Sequence, residues 1–134
     1  MVCIYCQNKC RVINSRYQKR TNGIWRRRKC LNCNSIFTTQ EAALLNEYWS
    51  VRTKQGHLSS FNRNRLFISI YKSLSHRKGA IDDATDITDT IINKLLDYKV
   101  LVLDIDYILD ISLSVLNNFD KVAAIYFKAY YIEK

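Results

Sequence analysis

The residues whose chemistry is most specific are four cysteines in two identical pairs, Cys3/Cys6 and Cys30/Cys33, each pair separated by two residues. One tight turn can present two thiolates, so two such turns can close a tetrahedron of sulfur around one zinc ion. All four ligands would be protein sulfur, which leaves no coordination position open for water or a substrate. The spacing therefore predicts one structural zinc ion per chain, with a redox-active dithiol as the weaker alternative. The odd cysteine, Cys10, fits neither pair and is interpreted as a free thiol.

A run of cations, Arg26-Arg27-Arg28-Lys29, ends directly against the second cysteine pair. Side chains alternate between the two faces of a strand, so Arg26 and Arg28 are predicted to point one way and Arg27 the other. Two guanidinium groups on one face can bind phosphates bidentately or reach guanine edges. Arg16 is a candidate to join Arg26 and Arg28.

Two aromatic residues near this run leave a second mode of binding open. Trp25 and Tyr17 can stack on unpaired bases, which is how many proteins bind single strands. A core position is an equally good interpretation of Trp25 in so small a domain.

The net charge of +9 is distributed very unevenly along the chain. Residues 1–47 and 48–78 each carry +7, the latter without one acid, whereas residues 79–134 carry −5. Solubilising surfaces usually intersperse both signs, so this bias favours a phosphate-bearing partner such as nucleic acid. In the second stretch the cations surround a turn and a helix start, where they could hold a nucleotide triphosphate; a plain solvated face explains them about as well.

The sequence also argues against several classes of protein. No run approaches the ~20 apolar residues of a membrane span, and Cys3, Cys6 and Lys9 interrupt any apolar signal core at the N-terminus. We therefore expect a cytoplasmic protein with no membrane partner, in a reducing compartment where paired cysteines bind metal. Neither a catalytic triad nor a Walker-type glycine loop is present, so the chain is predicted not to be an enzyme.

The order of strand and helix patterns along the chain predicts an α+β fold in two domains, 1–47 and 48–134. In the first domain we expect three short strands and a helical connector, over 11–15, 23–28, 36–39 and 41–47. This domain has too few large apolar groups to fold unaided, so the metal must supply folding energy.

The second domain is predicted to be a β-hairpin followed by four helices. The hairpin pairs strands near 48–53 and 58–61 around a turn. Asn62 and Asp104 are the predicted N-caps of the first and third helices. The four helices are indicated by apolar residues at helical spacing over 66–74, 87–96, 105–116 and 122–129.

The ordered motifs resemble the NrdR family, bacterial transcriptional repressors of ribonucleotide reductase genes. The family pattern is a CxxC knuckle, V-x-x-S-R, an arginine run before a second CxxC, R-F-T-T-x-E, and then an ATP-cone. Beside the two cysteine pairs, the corresponding stretches here are VINSR at 12–16, IWRRRKC at 24–30 and FTTQE at 37–41. The predicted hairpin and four helices resemble the cone, so the resemblance covers essentially the whole chain.

The resemblance implies a zinc-dependent DNA-binding repressor controlled by ATP and dATP bound in the cone. Its partner would be the double-stranded operator of reductase genes, and it would assemble as dimers into larger oligomers. The DNA-facing side chains implied are Arg16, Arg26, Arg27 and Arg28. The implied nucleotide contacts in the cone are Val51, Lys54, Arg65 and Tyr131.

Several positions depart from the family pattern. In the ribbon, Asn14 replaces an aspartate, whereas Trp25 and Ile36 replace arginines. In the cone, Thr53 and Arg65 replace lysines, and the last helix lacks the family's tyrosine and arginine. Loss of cations and an aromatic group near one pocket predicts weaker triphosphate binding.

A different class of function therefore stays open. In the alternative, the chain is an oligomeric assembly or interaction protein with non-specific nucleic-acid binding and a non-functional nucleotide pocket. A change in sequence-specific DNA binding on addition of dATP distinguishes the two hypotheses.

Overall fold

The computed structural model describes residues 1–132, so the last two residues of the predicted second domain lie outside the described part. The chain divides into two compact units, with the division between Ala43 and Leu44. Two three-stranded sheets and five helices among the described residues confirm the predicted α+β class. Within residues 1–132, none of the helices has the length and apolar character needed to cross a membrane.

The first unit is one antiparallel sheet with strand order β1-β2-β3, in which β2 is central. Its strands are β1 (Cys10–Gln18), β2 (Gly23–Cys30) and β3 (Ile36–Glu41). The predicted helical connector over 41–47 is wrong at its start, because Glu41 still pairs with Ile24 at the end of β3. Helix α1 is a single turn, Leu45–Tyr48.

The second unit has a small sheet of strand order β5-β4-β6 and four longer helices. The hairpin of β4 (Ser50–Arg52) and β5 (Leu58–Ser60) is confirmed, and β6 (Val102–Asp104) is an additional strand parallel to β4. Strand β6 was not predicted from the sequence, because it forms by pairing with β4, a segment far away along the chain. The helices are α2 (Arg63–Leu74), α3 (Ala80–Leu96), α4 (Ile105–Phe119) and α5 (Lys121–Tyr131).

One of the two predicted N-caps is confirmed. The Asn62 side chain accepts hydrogen bonds from the backbone amides of Asn64 and Arg65, at 2.9 and 3.3 Å. Asp104 occupies the N-cap position of α4, but its side chain makes no capping hydrogen bond. The parallel β4–β6 register places Asp104 opposite Arg52, and its Oδ1 accepts from the Arg52 guanidinium at 3.2 Å instead.

The apolar core belongs to the second unit. Its buried side chains run from Trp49 to Phe127, and the rings of Trp49 and Phe61 meet edge to face with centroids 5.1 Å apart. Among the described residues, the buried apolar side chains of the first unit are those of Cys3 and Cys30. The first unit thus lacks a core that could fold it without a further cross-link.

Asp120 joins the end of the α2 helix region to the start of α5. Its Oδ1 accepts from the amides of Val122 and Ala123, while its Oδ2 lies 3.0 Å from both His76 Nε2 and Arg77 Nη1. The hydrogen bond with His76, assisted by those from the amides and Arg77, lowers the pKa of Asp120 to about 2.

We predict that Asp120→Ala lowers the free energy of unfolding of the second unit by about 1–2 kcal/mol at pH 7, because an N-cap is lost. The lowered pKa means that the folded state holds Asp120 ionised where the unfolded chain, with an ordinary aspartate pKa of 3.8, begins to protonate. The stabilisation is therefore complete above about pH 4 and is lost as pH falls towards 2. Urea unfolding followed by helical circular dichroism at pH 7 and at lower pH measures both effects.

The matched control is Asp110→Ala, which removes an exposed carboxylate on α4. Its effect on unfolding should stay within about 0.5 kcal/mol. An equal loss for both variants, or a difference between them that does not shrink towards pH 2, would contradict the capping role of Asp120.

Candidate metal centre and nucleic-acid interface

The four paired cysteines meet in one cluster. Their sulfur atoms all lie within 4.8 Å of one another, with 3.7 Å between Cys3 and Cys33 and 3.4 Å between Cys6 and Cys30. Four sulfur atoms ~2.3 Å from a zinc ion in a regular tetrahedron are ~3.8 Å apart. The donor set and its spacing therefore fit a structural zinc ion.

The two knuckles have the same backbone conformation, which explains why both pairs converge. In each knuckle the amide of the first cysteine donates to the carbonyl oxygen five residues later, at 2.9 Å in both cases. The residue after the second cysteine, Gln7 or Asn34, has a φ of 60°. This left-handed conformation turns the chain back sharply after the second ligand.

Hydrogen bonds to sulfur favour the thiolate, the form that binds metal. The Asn8 amide group lies 3.4 Å from Cys6 Sγ, and its hydrogen bonds lower the pKa of Cys6 to about 6. Ser35 Oγ lies 3.0 Å from Cys33 Sγ and lowers the pKa of Cys33. These neighbouring groups therefore favour the thiolate form of Cys6 and Cys33, which is the form that binds a metal cation.

Cys10 is not part of the sulfur cluster. It begins β1, where it is the cross-strand partner of Cys30, and its thiol lies 3.8 Å from the carbonyl oxygen of Asn8. The side chain is half-buried. The cluster thus uses the four cysteines of the two pairs and leaves the fifth outside.

The arginines of β2 alternate between the two faces of the sheet, as predicted. Arg26 and Arg28 are half-buried on one face, whereas Arg27 is exposed on the other. Arg28 Nε donates to Thr39 Oγ1 at 2.9 Å, and Arg26 forms an ion pair with Glu41 at 3.6 Å. These two guanidinium groups are therefore partly engaged within the sheet.

Arg16 lies on the face of Arg27, not on that of Arg26 and Arg28, and this part of the sequence prediction is wrong. The register pairs Arg16 with Trp25 and Asn14 with Arg27. The turn over 19–22 fixes this pairing, and the turn geometry was not resolved by the sequence pattern.

The exposed side of the sheet forms a shallow groove of about 210 Å³. Trp25 lies on its central strand with 45% of its surface exposed, so it is not a core residue. Within the described residues, neither Arg16 nor Arg27 makes an ion pair or a side-chain hydrogen bond. We name this surface the Trp25 face; the residues that line it are Asn14, Arg16, Trp25, Arg27 and Thr38.

The second unit contains a largely apolar cavity of about 280 Å³. It brings together three of the four residues implied as nucleotide contacts, Val51, Arg65 and Tyr131. The polar edge of the cavity includes Ser59 and Asn62. Arg65 is the basic residue among those that line the cavity.

Lys54, the fourth implied contact, lies outside this cavity. It lines a separate polar cleft, where its Nζ is 3.6 Å from Asp106 Oδ1 beside the Arg52–Asp104 pair. The pairing of β6 with β4 brings the acidic start of α4 against the basic turn. These contacts were not predicted from the sequence because β6 was not predicted. The opposite charges of the two segments could have indicated that they lie close together.

Comparison with known proteins gives consistent matches. Residues 1–41 match the family model "Transcriptional repressor NrdR-like, N-terminal domain". A relative from Methylacidiphilum infernorum named transcriptional repressor NrdR is 35% identical over 98% of this chain and 79% of its own length. Relatives of the same name from Ligilactobacillus salivarius and Latilactobacillus sakei are 31% and 30% identical, over 85% and 83% of their lengths.

Proposed function

This chain belongs to the NrdR family of transcriptional repressors, and from that premise we propose that it is a zinc-dependent repressor of ribonucleotide reductase genes acting in the cytoplasm. The observation that carries the proposal is the Trp25 face, an exposed cationic surface on the sheet that the cysteine cluster closes. Its partner is the double-stranded operator of those genes.

In this proposal the zinc ion supplies a cross-link between the two knuckles and takes no part in a reaction. Cys3, Cys6, Cys30 and Cys33 hold it. The ion replaces the apolar core that the first unit lacks, because the buried apolar side chains there are two of its own ligands. The sheet is then rigid enough to hold Arg16 and Arg27 at fixed positions.

Arg16 and Arg27 are the side chains of this unit best placed to contact operator DNA. Both are exposed, and neither is neutralised by an acid of the described chain. Guanidinium groups bind phosphate oxygens and guanine edges with two parallel hydrogen bonds. Arg26 and Arg28 contribute positive potential from the opposite face and support the central strand through Thr39 and Glu41.

The cavity of the second unit is the proposed site for ATP or dATP. Its apolar walls suit an adenine ring, and Arg65 at its polar edge suits a phosphate. Since Lys54 is paired with Asp106, fewer cations face the triphosphate than in the family pattern. The proposal therefore includes nucleotide control of reduced strength.

Self-association into dimers and larger oligomers is also part of the proposal. One side of α5 carries apolar and aromatic groups that are exposed within the chain: Val122, Ile125, Tyr126 and Tyr130. A row of this kind on one helix suits contact with another copy.

The experiment that tests the proposal is fluorescence anisotropy of a duplex from the organism's own reductase promoter against a scrambled duplex. At fixed salt we expect tighter binding to the promoter, and a change in that preference when dATP replaces ATP. Arg65→Ala should remove the nucleotide effect and leave binding without nucleotide as in the wild type, since Arg65 lies in the second unit.

The outcomes separate the hypotheses. If the preference for the promoter does not change with either nucleotide, the repressor function is supported and nucleotide control is contradicted. Equal affinity for the two duplexes would overturn the repressor and favour the assembly protein with non-specific nucleic-acid binding.

A further inference from the structure

Trp25 is an exposed indole on which no described residue stacks. It lies at the centre of the Trp25 face, and within the described residues its ring makes no aromatic, cation–π or hydrogen-bond contact. A single exposed tryptophan is common on protein surfaces. This one is flanked by two unpaired guanidinium groups, because Arg16 is its cross-strand partner and Arg27 is two residues further along the same strand.

The arrangement joins the two components of a site for an unpaired nucleotide. Every base offers a π-face that can stack on an aromatic side chain, and the phosphate attached to it needs a cation nearby. In a duplex the faces of each base are covered by neighbouring pairs, so an indole can reach them only where a base is unstacked. The groove, about 210 Å³, is smaller than the usual pocket for a drug-sized ligand and suits one base.

We propose that the Trp25 face binds an unpaired nucleotide of DNA, with the base stacked on Trp25 and its phosphate between Arg16 and Arg27. Asn14 and Thr38 lie at the rim, where an amide and a hydroxyl can hydrogen-bond the edge of the base. The inference rests on the proposed DNA-binding role of this face and adds a single-strand mode to it.

The ligand class follows from charge and from shape. Residues 1–47 carry nine Lys/Arg and two Glu, so an anionic partner is favoured over a cationic or neutral one. An aromatic platform between cations favours a planar ring that is attached to a negatively charged group, as the base of a nucleotide is attached to its phosphate. A free phosphate would use the arginines but not the indole.

The test uses the intrinsic fluorescence of the zinc-loaded full chain. Trp25 and Trp49 are the two tryptophans, and Trp49 is only 2% exposed, so quenching by an added strand reports on Trp25. We expect a short oligothymidylate to quench the emission, whereas an abasic strand of the same length, which has phosphates but no bases, does not.

Variants of two exposed aromatic residues sharpen the test. Trp25→Leu should weaken binding of labelled oligothymidylate by about tenfold, and Trp25→Phe should restore part of it. Tyr17→Leu is the matched control and should leave this affinity unchanged. Tyr17 is the cross-strand partner of Ile24 and therefore lies on the other face of the sheet from Trp25. Zinc content and circular dichroism of each variant verify that the sheet is intact.

Two results would overturn the inference: equal quenching by the abasic strand, or an affinity for oligothymidylate that Trp25→Leu leaves unchanged. Anisotropy of the promoter duplex on the same preparations separates this failure from that of the proposed function. If the protein binds the promoter duplex but not the single strand, only the single-strand mode is overturned. If it binds neither, the DNA-binding role of the Trp25 face is overturned as well.

Discussion

Replacing Cys30 with serine is expected to release the zinc ion and unfold the first unit while the second unit stays folded. Cys30 is fully buried, and its sulfur lies 3.4 Å from that of Cys6. Two backbone amides, those of Asn32 and Cys33, also donate to it at 3.3 and 3.4 Å. A serine hydroxyl is a poor zinc ligand in this setting, since thiolates are the softer and more strongly bound donors.

The size of the effect follows from what the metal replaces. Structural zinc supplies about 10–16 kcal/mol of apparent binding free energy in small zinc peptides, which is more than the whole stability of many domains. The first unit has no apolar cluster to take over this contribution, whereas the core of the second unit is built from residues 49–127. The two units are therefore expected to respond differently to one substitution.

Zinc content by atomic absorption and amide exchange of β1 to β3 measure the loss, and helical circular dichroism follows the second unit. Cys10→Ser is the matched control, because Cys10 is a half-buried cysteine of the same sheet outside the cluster. It should keep one zinc ion per chain. Retention of zinc by Cys30→Ser, or its loss from Cys10→Ser, would contradict the assignment of the two cysteine pairs as the zinc ligands.

The sequence predicted the parts of the fold that strong local patterns encode. The cysteine spacing, the alternation along β2 and the four apolar helix faces each carry a repeated signal, and the cap at Asn62 has its own hydrogen-bonding chemistry. Each of these reappears in the structure.

What the sequence did not predict depends on pairing between distant segments. β6 is three residues long and forms because it pairs with β4, so the local sequence of either segment does not reveal the pairing. The face of Arg16 depends on the register across a turn, in which a shift of one residue exchanges the two faces. The position of Lys54 depends in turn on β6. Of the four residues implied as nucleotide contacts, Val51, Arg65 and Tyr131 line one cavity, whereas Lys54 lines a separate cleft.

The distribution of arginines over the two faces leads to the second large prediction. Replacing Arg16 and Arg27 together by alanine should weaken binding of the promoter duplex by about 100-fold, or roughly 2.7 kcal/mol, because two charge-assisted contacts are lost. The dependence of log K on log salt should become shallower by about 1.8, since each phosphate contact contributes about 0.9. Anisotropy titrations at several salt concentrations measure both quantities.

Arg26→Ala with Arg28→Ala is the control that makes this result interpretable. It removes the same net charge from the same sheet, so a purely electrostatic surface would respond equally to the two double variants. If the Trp25 face docks on the duplex, the control should lose less affinity, and its cost should fall partly on the stability of β2 and β3 through Thr39 and Glu41. A larger loss of affinity in the control would instead place the DNA on the face of Arg26 and Arg28. Either asymmetry fixes the orientation of the sheet on DNA, which the total charge alone does not determine.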